Sequence, residues 1–321
     1  MDSLLFTDAF IGLEAEKIAH ELKCGSGYHV FEKALSAEAV TALTNIVSSD
    51  SLLVNNNNLG YVRAYWTKYL SHTLALSKEC YDIITSERIR GICRHFFDEQ
   101  FKISNQRIYE THTRSHLPWH TDNNLQAGNA YNGKHDLPGI MFLFYLSDVS
   151  ETNPFQLIAD SYKWSEQNTE RFFSDKFIEQ NYKDDIVTVR APKGSLIICN
   201  THLIHRAEPF NRPGFKRLTY LFQIDEISTR HEGHGEKILL NPAFVNETSP
   251  EILTYLGFGN KADYPAFPET SVSTLLPQDI VSMQKDILPK ALKGLAFSFA
   301  RRVIPGSIVN AIRKKIHKGS I

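Results

Sequence analysis

Two histidines and one aspartate could hold a metal ion in this chain. The tripeptide His120-Thr121-Asp122 is followed by His205 and then by Arg217. Two imidazoles and one carboxylate are the ligands that hold non-haem Fe(II) while leaving coordination positions open for substrates. A structural zinc site would instead be closed by four protein ligands. The residue types therefore predict a catalytic iron site.

Arg217 adds an anion-binding group to this set. Its planar guanidinium can pair with a carboxylate through two parallel hydrogen bonds, which a lysine cannot do. The open positions on the metal are enough for a bidentate 2-oxo acid and one oxygen molecule. The set therefore predicts Fe(II) as the metal, 2-oxoglutarate as the cosubstrate and O2 as the oxidant.

The context of His205 is stronger evidence than the tripeptide. With 13 histidines among 321 residues, one His-x-Asp is expected by composition alone. Residues 193–205 instead have the pattern of a turn, a buried strand, a second turn and a second strand, followed by a turn cluster at 208–214. In the next strand, 217–224, apolar side chains alternate with polar ones. This alternation predicts a barrel wall whose polar face lines a ligand cavity.

Several of these motifs together resemble the phytanoyl-CoA dioxygenase family. The likeness covers most of residues 25–225. It rests on a first strand and capped helix, the proximal metal motif, a central strand with its turn, and the distal half of the barrel, at residues 27–40, 119–122, 144–158 and 194–217.

The resemblance implies a mainly β chain with flanking helices (α+β), built on a double-stranded β-helix, the cupin-like jelly-roll barrel. It implies His120, Asp122 and His205 as iron ligands and Arg217 as the 2-oxoglutarate anchor, with Tyr109 as a second contact. The implied activity is dioxygenation, with hydroxylation of a C–H bond in a small organic or lipid-like substrate and release of succinate and CO2. The presence of Asp122 disfavours halogenation, which needs the carboxylate position vacated.

The chain departs from the family pattern at three points. Pro154 follows Asn153 where a glycine is common, residues 160–162 replace a Gly-Ser-His, and Ala207 stands where a small hydroxyl residue is common. The rival classes are a zinc-dependent hydrolase with the same ligands and a non-catalytic ligand-binding barrel. Arg217 argues against the first, and the intact ligand set argues against the second.

Other residues are candidates for secondary roles. His202 competes with His205 as a ligand, but only His205 has the family spacing to Arg217. We predict substrate contacts for four residues, which are Arg63, His116, Trp119 and His202. Surface exposure is the alternative for His116, and packing is the alternative for the aromatic stretch 61–69 that contains Arg63.

Composition and cysteines set the broad class. The chain is 42% hydrophobic and 22% charged, which is ordinary for a globular domain. Its four cysteines lack paired spacing and are predicted to be reduced thiols, with Cys199 in a packing role. No signal peptide is recognised, so a cytoplasmic location is predicted, with a small-molecule substrate and no nucleic-acid partner.

Helical spacing is found at 14–22, 37–47, 74–83 and 87–97, before a strand-rich middle at about 100–225. Residues 160–183 are predicted to form a helical lid. The predicted division is an oxygenase domain at 1–286 and a basic tail at 287–321, which carries eight Lys or Arg and no acidic residue. Two short amphipathic helices are predicted in this tail, favouring either an anionic membrane surface or packing on the acidic body.

The tail generates a test of peripheral membrane contact. Each Lys or Arg near an anionic surface contributes on the order of 1 kcal/mol, screened by salt. We expect the full-length protein to sediment with anionic vesicles at low salt and to be released at high salt, whereas a chain ending at Asp286 stays in solution. Equal sedimentation of the two chains would reject membrane contact, and loss of solubility on truncation would favour packing on the body.

Overall fold

The computed structural model describes twelve stretches of the chain. They are residues 2–48, 61–64, 67–71, 73–111, 118–122, 138–151, 153–164, 172–209, 215–227, 238–245, 249–259 and 292. For 61–64 and 67–71 the description covers the backbone and the side chain of Leu70. The chain divides into two compact units, Met1–Thr274 and Leu275–Ile321.

Short helices dominate the N-terminal part. The α-helices are α1 (Asp2–Leu5), α2 (Asp8–Ile11), α3 (Ala15–Lys23), α4 (Ala37–Ser48), α5 (Thr73–Leu76), α6 (Lys78–Thr85), α7 (Glu87–Phe96), α8 (Asp175–Asn181) and α9 (Pro250–Tyr255). Two 3-10 turns cover Ser161–Trp164 and Lys183–Asp185. Apolar side chains of α1 to α7 and α9 join one buried cluster with the outer face of a large sheet.

The strands form two antiparallel sheets in the described part of the chain. They are β1 (Tyr28–Phe31), β2 (Tyr61–Ala64), β3 (Thr67–Ser71), β4 (Phe101–Thr111), β5 (Trp119–His120), β6 (Gly139–Tyr145), β7 (Phe155–Ile158), β8 (Phe172–Phe173), β9 (Ile186–Val189), β10 (Leu196–Asn200), β11 (His205–Ala207) and β12 (Arg217–Glu226). The larger sheet has the order β1-β10-β6-β12-β4-β3-β2, and the smaller has the order β8-β5-β11-β7-β9. This is the predicted double-stranded β-helix class.

The larger sheet has two different apolar faces. On β6, Phe142 and Phe144 join the cluster under the helices, whereas Met141, Leu143 and Tyr145 face a second cluster shared with strands β7 and β9 of the smaller sheet. Successive strand side chains point to opposite faces, so a strand buried on both faces is apolar throughout. This explains the predicted buried run at 140–146.

Strand β12 shows the predicted alternation. Leu218, Tyr220, Phe222 and Ile224 pack in the cluster under the helices, and the side chains between them belong to the inner face. A β-bulge interrupts its pairing with β4, because Gln223 lies opposite Asn105 while Ile224 lies opposite Ile103. Ser104 is the extra residue, so side-chain parity on β4 reverses at this point.

Most predicted elements are present with small shifts of their ends. The helix predicted at 74–83 is instead two helices, because Ser77 accepts a hydrogen bond from Cys80 N at 3.1 Å and so caps α6 at its N-terminus. The lid predicted at 160–183 is helical only in part. It contains a 3-10 turn, strand β8 and the whole of α8, and residues 165–171 lie outside the described residues.

The cysteine predictions agree with the structure. All four cysteines are free, and Cys199 is fully buried in the cluster between the sheets. The basic tail and the predicted boundary at 286/287 lie outside the described residues, apart from Leu292, so both stay predictions. No helix within the described ranges is long and apolar enough to cross a membrane.

Candidate metal centre

Backbone pairing brings the three predicted ligands together. Strand β11 pairs with β5 at a single position, which sets His205 directly opposite His120. Asp122 follows β5, and its backbone N–H donates to Thr201 O at 3.1 Å. One carboxylate oxygen lies 3.5 Å from His120 Nε2 and the other 3.5 Å from His205 Nε2. The three ligand atoms lie within 4.8 Å of one another, so a single ion could contact all of them.

Each histidine is oriented by a carbonyl two residues earlier. His120 Nδ1 lies 2.7 Å from Pro118 O, and His205 Nδ1 lies 2.9 Å from Leu203 O. Because a carbonyl can only accept, a neutral ring must carry its proton on Nδ1 and leave the Nε2 lone pair free. Metal-binding histidines are oriented in this way by a second hydrogen bond. The donor set therefore fits Fe(II), with the two Nε2 atoms and one carboxylate on the same side.

Burial keeps His205 neutral. Its side chain is almost fully buried, and burial lowers its pKa from the ordinary 6.5 to about 4, while Asp122 opposes this shift and His120 adds to it. Phe155 stacks on the His205 ring with 5.2 Å between centroids. A neutral imidazole is the form that binds a metal, so the ligand is ready at neutral pH.

Arg217 lies buried at the start of β12, with 2% of its surface exposed. Its Nη1 donates to Asn153 O at 2.6 Å, and its guanidinium carbon lies 5.9 Å from the centre of the Tyr109 ring. Among the described residues no carboxylate pairs with it, and its Nε has no hydrogen-bond partner. A buried cation without a counter-ion is costly, so the site fits an anionic ligand.

Two residues near Arg217 were missed in the sequence. Thr219, two positions along the same face, is fully buried, and its hydroxyl has no hydrogen-bond partner in the described part of the chain. Asn153 takes a positive φ of 54° and supplies the carbonyl that Arg217 contacts. Because Arg217 and Thr219 alternate along one face of the strand, the sequence could have indicated Thr219. The conformation of Asn153 had no sequence signal beyond the turn-forming Asn-Pro pair.

Tyr109 and Trp119 differ in how well they match their predicted roles. Tyr109 lies opposite Thr219 on β4 and beside Arg217, as a second contact to 2-oxoglutarate would require.

The prediction of a substrate contact for Trp119 is corrected. Trp119 alternates with His120 on β5, is fully buried among Ile158, Phe173, Ile178 and Ile204, and lies under the guanidinium of Arg206 at 4.3 Å. Its ring therefore packs the back of the smaller sheet.

The remaining predicted residues divide into two groups. His202 lies in the turn between β10 and β11, outside the cluster of three ligands, and its backbone N–H donates to Asn200 Oδ1 at 3.0 Å. His116 and the side chain of Arg63 lie outside the described residues, although the backbone of residue 63 belongs to β2. Their substrate contacts stay predictions.

The low pKa of His205 predicts acid sensitivity of the metal-free protein. Between pH 6.5 and about pH 4 the unfolded chain binds one more proton at this histidine than the folded chain. The free energy of unfolding should therefore fall with pH in this window, by at most about 1.4 kcal/mol per pH unit. In His205→Gln this part of the decline should disappear in urea unfolding of chelator-treated protein, whereas the exposed His20→Gln should behave like the wild type. An equal decline in both variants would contradict the assignment.

Comparisons with known proteins agree with this site. The family model described as Phytanoyl-CoA dioxygenase (PhyH) matches residues 24–217. The solved structure of EctD from S. alaskensis in its apoform is similar in fold, with a TM-score of 0.55, 18% identity, and coverage of 76% of this chain and 90% of that chain. No curated protein gives a significant match.

Two further solved structures are less similar. One is the nogalamycin carbocyclase SnoK, with a TM-score of 0.49, 15% identity, and coverage of 68% of this chain and 85% of that chain. The other is HygX from Streptomyces hygroscopicus with nickel and 2-oxoglutarate bound, with a TM-score of 0.48, 15% identity, and coverage of 65% and 91%. The family match spans more than half of the sequence. The chain therefore belongs to the phytanoyl-CoA dioxygenase family of Fe(II)- and 2-oxoglutarate-dependent oxygenases.

Proposed function

We propose that this oxygenase hydroxylates a C–H bond of a small organic metabolite or lipid-like substrate and converts 2-oxoglutarate to succinate and CO2. In this proposal His120, Asp122 and His205 hold Fe(II), Arg217 anchors the 2-oxoglutarate carboxylate, and Tyr109 and Thr219 complete that pocket. The oxidising power belongs to the bound metal, the 2-oxo acid and O2.

The observation that carries the proposal is the buried guanidinium of Arg217, which pairs with no carboxylate of the described residues. A zinc hydrolase with the same ligands would have no use for a buried guanidinium without a carboxylate partner. A dicarboxylic cosubstrate would supply that partner through a charge-assisted pair. The buried Thr219 hydroxyl lies on the same face and can donate to the same carboxylate.

The protein residues contribute orientation and a dry cavity. Nδ1 of each histidine is held by a backbone carbonyl, so the metal-facing nitrogen needs no rearrangement before binding. Tyr145, fully buried, donates to Val189 O at 3.0 Å and accepts from Phe155 N at 2.8 Å, which joins β6 to the smaller sheet. Burial raises the pKa of Tyr145 to about 12, so its hydroxyl stays protonated.

Apolar side chains between the sheets support an organic substrate. Met141, Leu143, Leu157 and Cys199 form this wall together with Leu203. Such a wall would exclude water from an organic molecule bound beside the metal centre.

Succinate formation tests the proposal directly. Iron-loaded protein should convert 2-oxoglutarate to succinate slowly by itself and faster when a metabolite extract from its own cells is added. A product carrying one additional oxygen atom, labelled from 18O2, should accumulate in step with succinate. An oxidised product without the label would favour another oxygenase outcome, and no succinate at all would reject the proposal.

The ligand assignment predicts three damaging substitutions and one tolerated one. Replacing His120, Asp122 or His205 by Ala removes one of three protein ligands, so iron occupancy should be lost while circular dichroism shows a retained fold. His202→Ala is the matched control, since it changes a nearby histidine outside the cluster, and it should keep iron. Loss of metal from His202→Ala with retention in His205→Ala would overturn the assignment.

The anchor predicts a selective effect on 2-oxoglutarate. Arg217→Ala deletes a charge-assisted contact worth about 1.5–3 kcal/mol, so half-saturation should need roughly ten- to a hundredfold more 2-oxoglutarate. Arg217→Lys keeps the charge without the planar fork, so its half-saturating concentration of 2-oxoglutarate should lie between those of Arg217→Ala and the wild type. Iron binding measured in the absence of 2-oxoglutarate should change little. An unchanged saturation curve would remove the main support for the anchor.

A further inference from the structure

A second group of buried polar residues lies along the inner face of β12. Leu221 separates this group from Arg217. The group consists of Asn105, Thr201, Gln223 and Asp225, each at most 8% exposed. We call this group the polar pocket. Gln223 lies opposite Asn105 on one side and Met141 on the other, so all three share the face turned toward the smaller sheet. No role in binding the metal or 2-oxoglutarate has been assigned to these four residues.

Hydrogen bonds inside the polar pocket connect its two amides to its carboxylate. Asn105 Nδ2 donates to Gln223 Oε1 at 3.2 Å, and Gln223 Nε2 donates to both carboxylate oxygens of Asp225 at 2.8 and 3.0 Å. Two buried oxygens, Asn105 Oδ1 and Thr201 Oγ1, have no hydrogen-bond partner in the described residues. Buried polar atoms are rarely left in this state without a bound ligand or water.

Two oxygens of the polar pocket converge beside Gly139. A Cβ atom at this position would lie 2.2 Å from Asp225 Oδ1 and 2.6 Å from Thr201 Oγ1, which is too close for any side chain, so the two oxygens occupy the place that a side chain would take. The hydroxyl of Thr201 and the carboxylate of Asp225 do not bond each other, because Thr201 Oγ1 has no hydrogen-bond partner among the described residues. A ligand group that donates hydrogen bonds could therefore bind to both the Thr201 hydroxyl and the Asp225 carboxylate.

The polar pocket lies beside the carboxylate ligand of the metal centre. The carbonyl of Thr201 accepts a hydrogen bond from Asp122 N at 3.1 Å. Cys199, two residues earlier, lies in the same cross-strand row as Met141 and Gln223. Burial raises the pKa of the Cys199 thiol, and the charge of Asp122 raises it further, which places that carboxylate close to this row.

We propose that Asn105, Thr201 and Asp225 bind a hydrogen-bond-donating group of the primary substrate, a hydroxyl or a protonated amine, with Gln223 holding Asp225 in place. This inference rests on the proposed function. It makes the substrate a molecule with a polar end at β12 and its reacting carbon near the metal, rather than a plain hydrocarbon.

The first test measures stability without any ligand. Thr201→Val keeps the side-chain shape and removes a buried hydroxyl that has no hydrogen-bond partner in the described part of the chain, so the Tm of the metal-free protein should stay equal or rise by a few degrees. Thr73→Val is the matched control, because Thr73 is also fully buried but bonds Gln106, and its Tm should fall. A fall in Thr201→Val similar to that of the control would assign the hydroxyl a structural partner and overturn the proposal.

The second test measures stimulation of 2-oxoglutarate turnover by three fractions of an extract from its own cells. They are the amines retained on a cation exchanger, the polar material that flows through, and the material extracted into organic solvent. We expect the first or the second fraction to stimulate the wild type, which distinguishes an amine from a hydroxyl. Thr201→Val and Asn105→Leu should need roughly three- to tenfold more of that fraction for half-maximal stimulation, each measured against its own unstimulated rate.

The outcomes separate the pocket from the proposed function. Stimulation of both variants at wild-type concentrations would overturn the polar pocket, as would stimulation by the organic fraction only. Failure of all fractions, with slow succinate formation intact, would also overturn it and leave iron and 2-oxoglutarate binding standing. Absence of any succinate would instead reject the proposed function.

Discussion

The pairing of His205 with His120 is the constraint on which the site depends. One backbone register sets the two imidazoles side by side, and two carbonyl oxygens turn both Nε2 atoms toward Asp122. The rest of the smaller sheet supports this pairing. The Arg206 guanidinium covers the Trp119 ring, and its Nε donates to Gln156 Oε1 at 2.9 Å. Strands β5 and β11 are too short to define a register alone, so packing behind them must fix it.

The two sheets carry different parts of the site. The smaller sheet carries the two histidines, whereas the larger sheet carries Arg217 and the buried polar residues of β12. Tyr145 joins the two through its hydroxyl, which contacts backbone atoms of β7 and β9. A catalytic site formed between two layers in this way depends on their separation, which bulky apolar side chains of the second cluster maintain.

Much of this arrangement was predictable from the sequence. The two faces of 217–224 and the buried run 140–146 follow from periodicity, since each depends on neighbouring residues. The ligand set was indicated by residue chemistry, and the choice of His205 over His202 by the family resemblance. Three features did not follow. The break at Ser77 is a capping choice, the packing of Trp119 depends on which face of a two-residue strand is covered, and the polar pocket joins residues from distant strands. The last two depend on tertiary contacts, which no local pattern encodes, whereas the Ser77 cap is a local feature that the helical spacing of apolar residues does not reveal.

The bulge at Ser104 has a consequence for how this protein can change. Because it reverses parity on β4, Ile103 enters the core under the helices and Lys102 comes opposite Asp225, while Asn105 keeps the inner face. If Ser104 were instead paired in the regular ladder, the two neighbours would exchange faces, which would put an aliphatic chain beside a buried carboxylate and an ammonium group in the core. The two faces of strand β4 therefore depend on one residue that stays outside the ladder. Side chains on its inner face can be replaced without any change in that pairing.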